Sequence, residues 1–361
     1  GLDTWWRHLA DGPAADSDLP FTGGWFLYLG YELAGQIEPT LQLAHADPDL
    51  PVAFATRCAT ALVRDRDRAA VFVVGEPGSE ADLAVIEADI GNLGGAGTPV
   101  RQDIQAQEIT EQPDRDYLDA VRRIKDYIVE GDVFQVNLSR LWTLHLAEAA
   151  GSQQLYENLC YHNPAPFSGL AHWQDAAIVS SSPERLVKVH DGVVETRPIA
   201  GTRPRSPSLR EDEAWSEELL AHPKERAEHI MLIDLERNDL GRLCVPGSIE
   251  VNEFMVLESY AHVHHIVSNV RGRLRDDTTP GGVLRAVFPG GTITGCPKVR
   301  CMQIIAELEQ APRGAYTGSM GYLNRDGSMD MNILIRTMVS RGDRLVLRAG
   351  AGIVADSVPE A

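Results

Sequence analysis

Short apolar runs separated by tight turns recur along this 361-residue chain and limit the folds open to it. Ala176–Val179, Leu186–Val189 and Val193–Thr196 are three such runs, and Asp191-Gly192 is typical of a two-residue hairpin turn. Gly318–Leu323 has the same character. Because predicted strands outnumber helices and mostly fall in hairpins, we predict a mixed α+β fold with antiparallel sheets.

Two further strand predictions concern residues of functional interest. Phe134, Val136 and Leu138 alternate with polar residues, which indicates a half-buried strand. Asn332–Ser340 and Arg344–Arg348 are predicted to form a pair of strands.

Three helices are bounded by clear signals. Asp114 is predicted to cap a helix that ends at Gly131. Pro223 can open a second helix that runs through Leu235, since proline is tolerated in a first turn. Pro297–Gln310 has the pattern of a third helix, and Gly91–Gly97 is the best candidate for a linker or mobile loop.

Composition bounds the class of protein. The apolar content of 43% and charged content of 24% are those of a globular protein, and the length suits one large domain or two fused lobes. We expect residues 1–112 and 113–361 to be two parts of one intertwined domain. A net charge of −19 argues against nucleic acid and anionic membranes as partners.

Cysteine usage and hydropathy indicate a cytoplasmic location. The five cysteines are scattered and show no C-x-x-C spacing, which fits a reducing compartment. The chain has no run of about 18 apolar residues, and its first residues lack the regions of a signal peptide.

Glu225 and Glu228 are candidate metal ligands. Residues three apart share a helix face, so both carboxylates can reach one point. A hard cation with oxygen ligands, typically Mg²⁺, suits such a pair. A solvated helix face is the alternative reading.

A glycine-rich segment from Pro289 to Lys298 is a candidate anion site. It feeds a helix whose free N–H groups, dipole and lysine attract negative charge. The segment is nearly a nucleotide-binding loop, but Cys296-Pro297 stands where that motif requires lysine and a hydroxyl residue. Gly350 and Gly352, with a β-bulge as the alternative reading, would let a ligand approach the backbone.

Several titratable residues could serve the same site. His264 and His265 point to opposite faces of a predicted strand, so at most one belongs to the site. Arg336, on an otherwise apolar predicted strand, should pair with a carboxylate or bind an anion. Glu184 could be a general acid if burial raised its pKa. The residues alone therefore predict a site for a small di- or tricarboxylate with Mg²⁺.

Seven segments in this order resemble the chorismate-utilising enzymes across nearly the whole chain. They are PIAGTRPR (198–205), KERAEHIMLIDLERNDLGR (224–242), HHIVSNVRG (264–272), FPGGTITGCPKVRCMQII (288–305), GSMGYL (318–323), IRT (335–337) and AGAGIVADS (349–357). The resemblance implies an α/β/β/α sandwich with two large antiparallel sheets.

The resemblance also implies roles. Glu225 and Glu228 would hold Mg²⁺ against the ring carboxylate of chorismate, His265 would lie near the leaving hydroxyl, and Glu184 would be the general acid. Tyr322, Arg336 and Gly352 would hold the enolpyruvyl carboxylate. The other catalytic or substrate-contacting positions implied by the motifs are Ala200, Gly201, Thr202, Thr292, Thr294, Gly295, Lys298 and Gly350.

Gln135 indicates the nucleophile. Family members that add water to chorismate carry a general-base lysine in this strand, whereas the ammonia users do not. The chain reads Phe134-Gln135-Val136-Asn137. The resemblance therefore implies that ammonia is the nucleophile.

Two ammonia-using classes remain: aminodeoxychorismate synthase component I and anthranilate synthase component I. NPAPF (163–167), SPER (182–185) and LERND (235–239) are similar to the first class. Ala200 is similar to the second, because many members of the first carry a lysine there that is proposed to attack the ring. Three segments outweigh one position, so we expect 4-amino-4-deoxychorismate as the product, with anthranilate and pyruvate as the alternative.

A partner subunit is implied as well. The chain has no G-x-C-x-G glutaminase motif, so ammonia would come from a glutamine amidotransferase subunit. The non-catalytic alternative is that the chain is an inactive regulatory subunit that only binds this glutaminase. Family members carry roughly 60–90 further N-terminal residues, and a second pair of metal-binding glutamates lies beyond the position of Ala361.

Overall fold

The computed structural model describes residues 1–10, 18–44, 50–94 and 103–360. In chain order its strands are β1 (Gly24–Leu29), β2 (Ala53–Cys58), β3 (Thr60–Asp65), β4 (Ala70–Gly75), β5 (Ala106–Glu111), β6 (Gln135–Leu146), β7 (Phe167–Trp173), β8 (Ala176–Ser182), β9 (Arg185–His190), β10 (Val193–Thr196), β11 (Ile199–Pro204), β12 (Glu250–Ser259), β13 (Val263–Arg273), β14 (Gly295–Cys296), β15 (Ser319–Asn324), β16 (Met329–Asn332), β17 (Thr337–Arg341) and β18 (Arg344–Ile353).

The helices of the same residues are α1 (Leu2–Leu9), α2 (Ala34–Ile37), α3 (Glu80–Asn92), α4 (Asp114–Val129), α5 (Ser152–His162), α6 (Leu209–Ala221), α7 (Pro223–Gly241), α8 (Pro280–Val287) and α9 (Lys298–Glu309), and a 3₁₀ turn covers Tyr31–Leu33. Among the described helices, none combines the length and the apolar character needed to cross a bilayer. The five cysteines are all free thiols.

Two large sheets organise the chain. The first has the order β11-β13-β10-β9-β16-β15-β1-β2 with β12 added at β13, and the second has the order β14-β6-β18-β17-β8-β7 with β5 added at β6. β3 and β4 form a separate hairpin whose turn carries Arg66, Asp67 and Arg68. Residues before 113 supply β1 and β2 to the first sheet and β5 to the second.

The alternation of side chains along the strands explains the layers. In β1, Trp25, Leu27 and Leu29 pack against α7 and α8 on the outer face of the first sheet. Phe26 and Tyr28 point the other way, into a cluster shared with Ile178 and other residues of the second sheet.

A third cluster closes the far side of the sandwich. Val136 and Leu138 of β6 pack there against Ile124 of α4 and Ile304 of α9. The layer order is therefore helices, sheet, sheet, helices, as the resemblance implied, and the prediction of two large antiparallel sheets is confirmed.

The prediction of a half-buried strand at Phe134 is wrong. Phe134 precedes β6 and is 68% exposed, whereas the polar residues Gln135, Asn137 and Ser139 are buried. The alternation exists, but both faces of β6 are covered because the second sheet lies inside the sandwich. Because these polar side chains are buried, their hydrogen-bond partners must be protein groups or a ligand rather than bulk water.

Arg336 does not lie on a strand, contrary to the sequence prediction. The predicted strand Asn332–Ser340 is interrupted between β16 and β17, and Arg336 is an exposed residue with a left-handed φ of 51°. Arg348–Gly352, in contrast, lies within β18 in unbroken register with β6, so the bulge reading is excluded.

Two helix boundaries also differ from prediction. α7 begins at Pro223 as expected but continues six residues past Leu235, to Gly241. α4 has Pro113 rather than Asp114 at its N-cap, and Asp114 accepts a hydrogen bond from Arg140 instead. The predicted loop at Gly91–Gly97 lies partly outside the described residues, and Gly91 belongs to α3.

Candidate active site

Glu184 lies between β8 and β9 with its side chain buried inside the sandwich. Its Oε1 accepts a hydrogen bond of 2.7 Å from the hydroxyl of Thr292. Burial raises the pKa of Glu184 from 4.5 to about 7, and this outweighs the opposing effects of Thr292, the Ile199 N–H and Arg336. A carboxyl with that pKa is partly protonated at neutral pH and can donate a proton.

His265 faces the same space. The register places Thr202 of β11 opposite His265 of β13, and the threonine hydroxyl shares a 2.9 Å hydrogen bond with Nδ1. Nε2 is buried and has no hydrogen-bond partner among the described residues. Burial, followed by the nearby charge of Arg336, lowers the pKa of His265 to about 4. The imidazole is therefore neutral at physiological pH, with one ring nitrogen left for a ligand.

Arg336 is the cation shared by these two groups. Its charge lowers the pKa of both Glu184 and His265, and its Nη1 donates to Asn163 Oδ1 over 3.4 Å. Within the described part of the chain it forms no ion pair with a carboxylate. Its guanidinium is thus free to bind an anionic ligand beside the acid and the imidazole.

Glu225 and Glu228 in the first turns of α7 form a second part of the site. Glu225 Oε1 accepts from Arg203 Nη1 over 3.2 Å, and Glu228 Oε1 accepts from Gln135 Nε2 over 3.1 Å. Burial and the neighbouring charge of Glu225 raise the pKa of Glu228. The two carboxylates are half-buried and close enough to repel each other.

Gly201 connects the two parts. It lies at the irregularity between Ala200 and Thr202 in β11 and has a φ of 82°, a conformation that favours glycine. A Cβ there would stand 3.2 Å from Glu225 Oε2, while the next residue, Thr202, contacts His265. Ala200 itself is buried, and no side-chain nucleophile exists at that position.

Gln135 lies between Glu228 and the backbone of β18. A Cβ at Gly352 would stand 2.2 Å from Gln135 Nε2, so the glycine makes room for the amide. Gln135 Oε1 is buried and has no hydrogen-bond partner among the described residues. The amide is therefore anchored at its nitrogen and presents an unused acceptor.

Replacing Gly352 by alanine should displace the Gln135 amide. We expect activity to fall at least about tenfold, because sub-ångström misplacement of a site group is costly. Gly94→Ala is the matched control, since nothing lies within 4 Å of a Cβ at that exposed position. Equal kcat/KM values for the two variants would contradict the assignment.

Tyr322 is separated from the other predicted site residues. It contacts Phe21 edge-on at 5.7 Å between ring centroids, and its charged neighbours are Asp330 and Arg185. Tyr316, in contrast, lies beside a predicted site residue, because a Cβ at Gly350 would stand 2.6 Å from the Tyr316 hydroxyl. The sequence reasoning missed Tyr316, although AYTGS directly precedes the GSMGYL motif.

Lys298 also has a role other than the predicted anion contact. Its ammonium donates to Asp239 Oδ2 at 2.6 Å and to the carbonyls of Pro289 at 3.0 Å and Val287 at 3.2 Å. An ammonium has three protons, and all are used. Lys298 therefore fastens the loop before α9 to α7.

The two other predicted loop residues, Thr294 and Gly295, hold this loop in shape. The Thr294 hydroxyl donates to the Gly290 carbonyl over 2.9 Å. Gly295 packs its Cα so tightly on β6 that a Cβ would stand 2.0 Å from the Gln135 carbonyl. Among the predicted contacts of this loop, Thr292 hydrogen-bonds the candidate acid Glu184.

Tyr260 is a further residue that the sequence reasoning did not single out. Its ring lies 5.7 Å from that of His265, and its hydroxyl donates to Glu258 Oε2 over 2.6 Å. Tyr260 lies in the turn after β12, and no sequence pattern there predicts its contact with His265. His264, as expected, faces elsewhere and pairs with Asp212 and Ser259.

A buried acid with a raised pKa, a neutral imidazole, a guanidinium without an ion pair and a half-buried carboxylate pair are groups expected of a site for a small anionic ligand. The chorismate binding enzyme family matches residues 3–361, and the chain belongs to this family. The resemblance seen in the sequence is confirmed.

The chain is 42% identical over 344 residues to the anthranilate synthase component I-like protein of Synechocystis, covering 94% of this chain and 70% of that protein. It is 51% identical over 241 residues to aminodeoxychorismate synthase component 1 of Bacillus subtilis, covering 67% and 51% respectively. The chain thus spans between about half and seven tenths of these relatives.

Solved structures give the same fold. Anthranilate synthase component I from Streptococcus pneumoniae superposes with a TM-score of 0.89 at 32% identity, covering 99% of this chain and 82% of that one. The menaquinone-specific isochorismate synthase from Escherichia coli superposes with a TM-score of 0.70 at 18% identity, which is a likeness of fold alone.

Proposed function

We propose that the chain aminates chorismate with ammonia. The observation that carries this proposal is the Gln135 amide held between Glu228 and Gly352. An amide cannot take a proton from water at neutral pH, so this position lacks the base that hydration would need. Ammonia is a nucleophile without such help, and the unused Oε1 can accept one of its N–H groups.

The other site residues would bind the substrate and transfer the protons as ammonia replaces the hydroxyl. Arg336 and Tyr316 would bind carboxylate oxygens of chorismate, and protonated Glu184 would give its proton to the leaving hydroxyl. A C–N bond then forms, a C–O bond breaks and water departs, while a proton lost by the new ammonium restores Glu184. Neutral His265 would orient the ring hydroxyl through Nε2.

Glu225 and Glu228 fit a magnesium ion. Mg²⁺ usually binds one or two carboxylates and completes its octahedron with water and substrate oxygens. Glu225 and Glu228 are half-buried and close enough to repel each other, which suits a cation placed between them. When bound, the ion would neutralise a carboxylate of the substrate.

The product we propose is 4-amino-4-deoxychorismate, with the enolpyruvyl group retained. NPAPF, SPER and LERND support it, as does the similarity to the Bacillus subtilis enzyme. Ala200 excludes a covalent lysine adduct at that position, so ammonia or water would add transiently at ring carbon 2 as the carbon-4 hydroxyl leaves, and ammonia would then add at carbon 4 as the carbon-2 group departs. Ala200 and the anthranilate synthase relatives favour the second candidate, anthranilate with release of pyruvate.

Mass spectrometry of the products tests the proposal. The chain is supplied with chorismate, Mg²⁺ and ammonium, with no lyase present, and we expect aminodeoxychorismate. Anthranilate and pyruvate as main products would establish the second candidate, and isochorismate would refute ammonia as the nucleophile. No turnover of chorismate would favour the regulatory reading.

The same assay with glutamine tests the partner. We propose that glutamine replaces ammonium only when a separate amidotransferase subunit is added, because the chain lacks the glutaminase motif. Glutamine-dependent product from the purified chain alone would contradict this.

A further inference from the structure

A groove of about 700 Å³ lies at the surface between α7, the end of α8 and the start of α9. Its walls are largely apolar: Met231 and Leu235 come from α7, Phe288 follows α8, and Met302 comes from α9. The catalytic acid, the imidazole and the metal-binding glutamates of the candidate active site do not line it. The groove is therefore a separate feature of the molecule.

Two large apolar side chains are exposed within this groove. Phe134, directly before β6, is 68% exposed, and Ile230 of α7 is 46% exposed. A single exposed apolar residue is ordinary, but two that border the same apolar groove form a patch. Aromatic residues and methionines are enriched at the centres of protein interfaces, and polar residues surround them. The groove has this composition, which suits the surface of a protein partner.

The charged residues of the groove leave an excess of positive charge. Arg242 and Arg285 are exposed and form no ion pair within the described residues. Asp234 and Asp239, in contrast, are each held by a basic side chain of the chain itself, at 3.1 Å and 2.6 Å. Glu38 is the remaining acidic residue of the lining. In a chain of net charge −19, this local excess fits a partner that presents carboxylates.

The groove borders the proposed ammonia site from outside. Phe134 adjoins Gln135 in sequence, and Ala227, which also lines the groove, adjoins Glu228. Gln135 Nε2 donates to Glu228 over 3.1 Å, so the two neighbours of the groove residues meet inside the protein. A partner that covers the groove would therefore lie one residue away from the amide proposed to receive ammonia. Transfer at this point would keep ammonia out of bulk water, where protonation removes its nucleophilic lone pair.

We propose that this groove is the docking surface of the amidotransferase subunit. The subunit would place apolar side chains between α7 and Phe134, and carboxylates against Arg242 and Arg285. The inference rests on the proposed use of ammonia and deepens it, because it assigns the surface at which ammonia is delivered.

Replacing Ile230 by aspartate tests the apolar part of the surface. In calorimetric titration with the amidotransferase subunit that supports glutamine turnover, we expect the Kd of Ile230→Asp to exceed that of wild type at least about 30-fold, because the new charge must be desolvated at the centre of the interface. Glutamine-dependent turnover should fall at subunit concentrations near the wild-type Kd. Ammonium-dependent turnover should remain close to wild type, which shows that the fold and the site are intact.

Phe134→Ser is a second variant with the same expected separation of the two activities, and it introduces no charge. Val129→Asp is the matched control, because Val129 is an exposed aliphatic residue of α4 that does not line the groove. It should change neither the affinity for the subunit nor either turnover.

Charge reversal tests the electrostatic part. Arg285→Glu should weaken binding of the subunit about tenfold at low salt, and its difference from wild type should shrink as salt is added, since exposed charges are screened. Arg210→Glu, on an exposed position of α6, makes the same change away from the groove and should bind the subunit as wild type does.

Subunit binding by Ile230→Asp and Phe134→Ser that is as tight as that of wild type would overturn the proposal. Dimerisation of the wild-type chain alone, lost in Ile230→Asp, would instead assign the groove to a second copy of this chain. The titrations contain no chorismate, so they decide the docking surface whatever the product is. A failure of ammonium-dependent turnover in wild type would count against the proposed amination and leave the result of the titrations standing.

Discussion

Glu184→Gln is expected to lower kcat by about 10²- to 10⁴-fold, the usual worth of a general acid. Glutamine retains the size of the side chain and an oxygen that can accept the Thr292 hydroxyl, but it has no proton to give. The pKa of about 7 also predicts that wild-type activity falls as the pH rises above 7, since the acid form is then lost. The measurement is steady-state kinetics with ammonium across this range.

Glu213→Gln on the exposed face of α6 provides the control for that experiment. It makes the same chemical change far from the site, and it should leave kcat and its pH dependence unaltered. A Glu184→Gln enzyme within twofold of wild type would show that the proton comes from another group.

Glu228→Ala should remove most of the magnesium-dependent activity. The remaining carboxylate, Glu225, already accepts a hydrogen bond from Arg203, so it cannot replace the lost ligand. A loss of about 2–3 kcal/mol in transition-state stabilisation corresponds to a drop of about 30- to 150-fold. Titration of turnover with Mg²⁺ should also show weaker apparent binding.

Asp234→Ala is the matched control for the metal, because Asp234 lies on the exposed face of the same helix. It should retain both turnover and magnesium dependence. Full activity of the wild-type chain in EDTA, or of Glu228→Ala, would rule out the carboxylate pair as a metal site.

Local patterns were sufficient to predict most of the architecture. The hairpin β9–β10 with Asp191-Gly192 and the helices α4 and α9 occur where the sequence placed them. These elements depend on residues near one another in sequence. The helix α7 ended later than expected because packing under the 288–297 loop, rather than local sequence, supports its last turns.

Parts of the site that depend on distant contacts could not be predicted in this way. The polar face of β6 is buried because other parts of the sandwich cover it, and Arg336 adopts a left-handed bend that no local signal marks. The sequence could not distinguish Tyr316 from Tyr322, because the contact between the Tyr316 hydroxyl and Gly350 joins residues that are distant in sequence. Glu236 and Asp239 repeat the spacing of Glu225 and Glu228 and could have been singled out from the sequence alone.

The three hydrogen bonds of Lys298 bear on the thermodynamics of ligand binding. Together with the pairing of β14 to β6, they fix both flanks of the segment that carries Thr292. A ligand therefore meets a preorganised wall and loses no free energy in ordering it. Binding should accordingly show little of the unfavourable entropy that accompanies the folding of a mobile loop around a substrate.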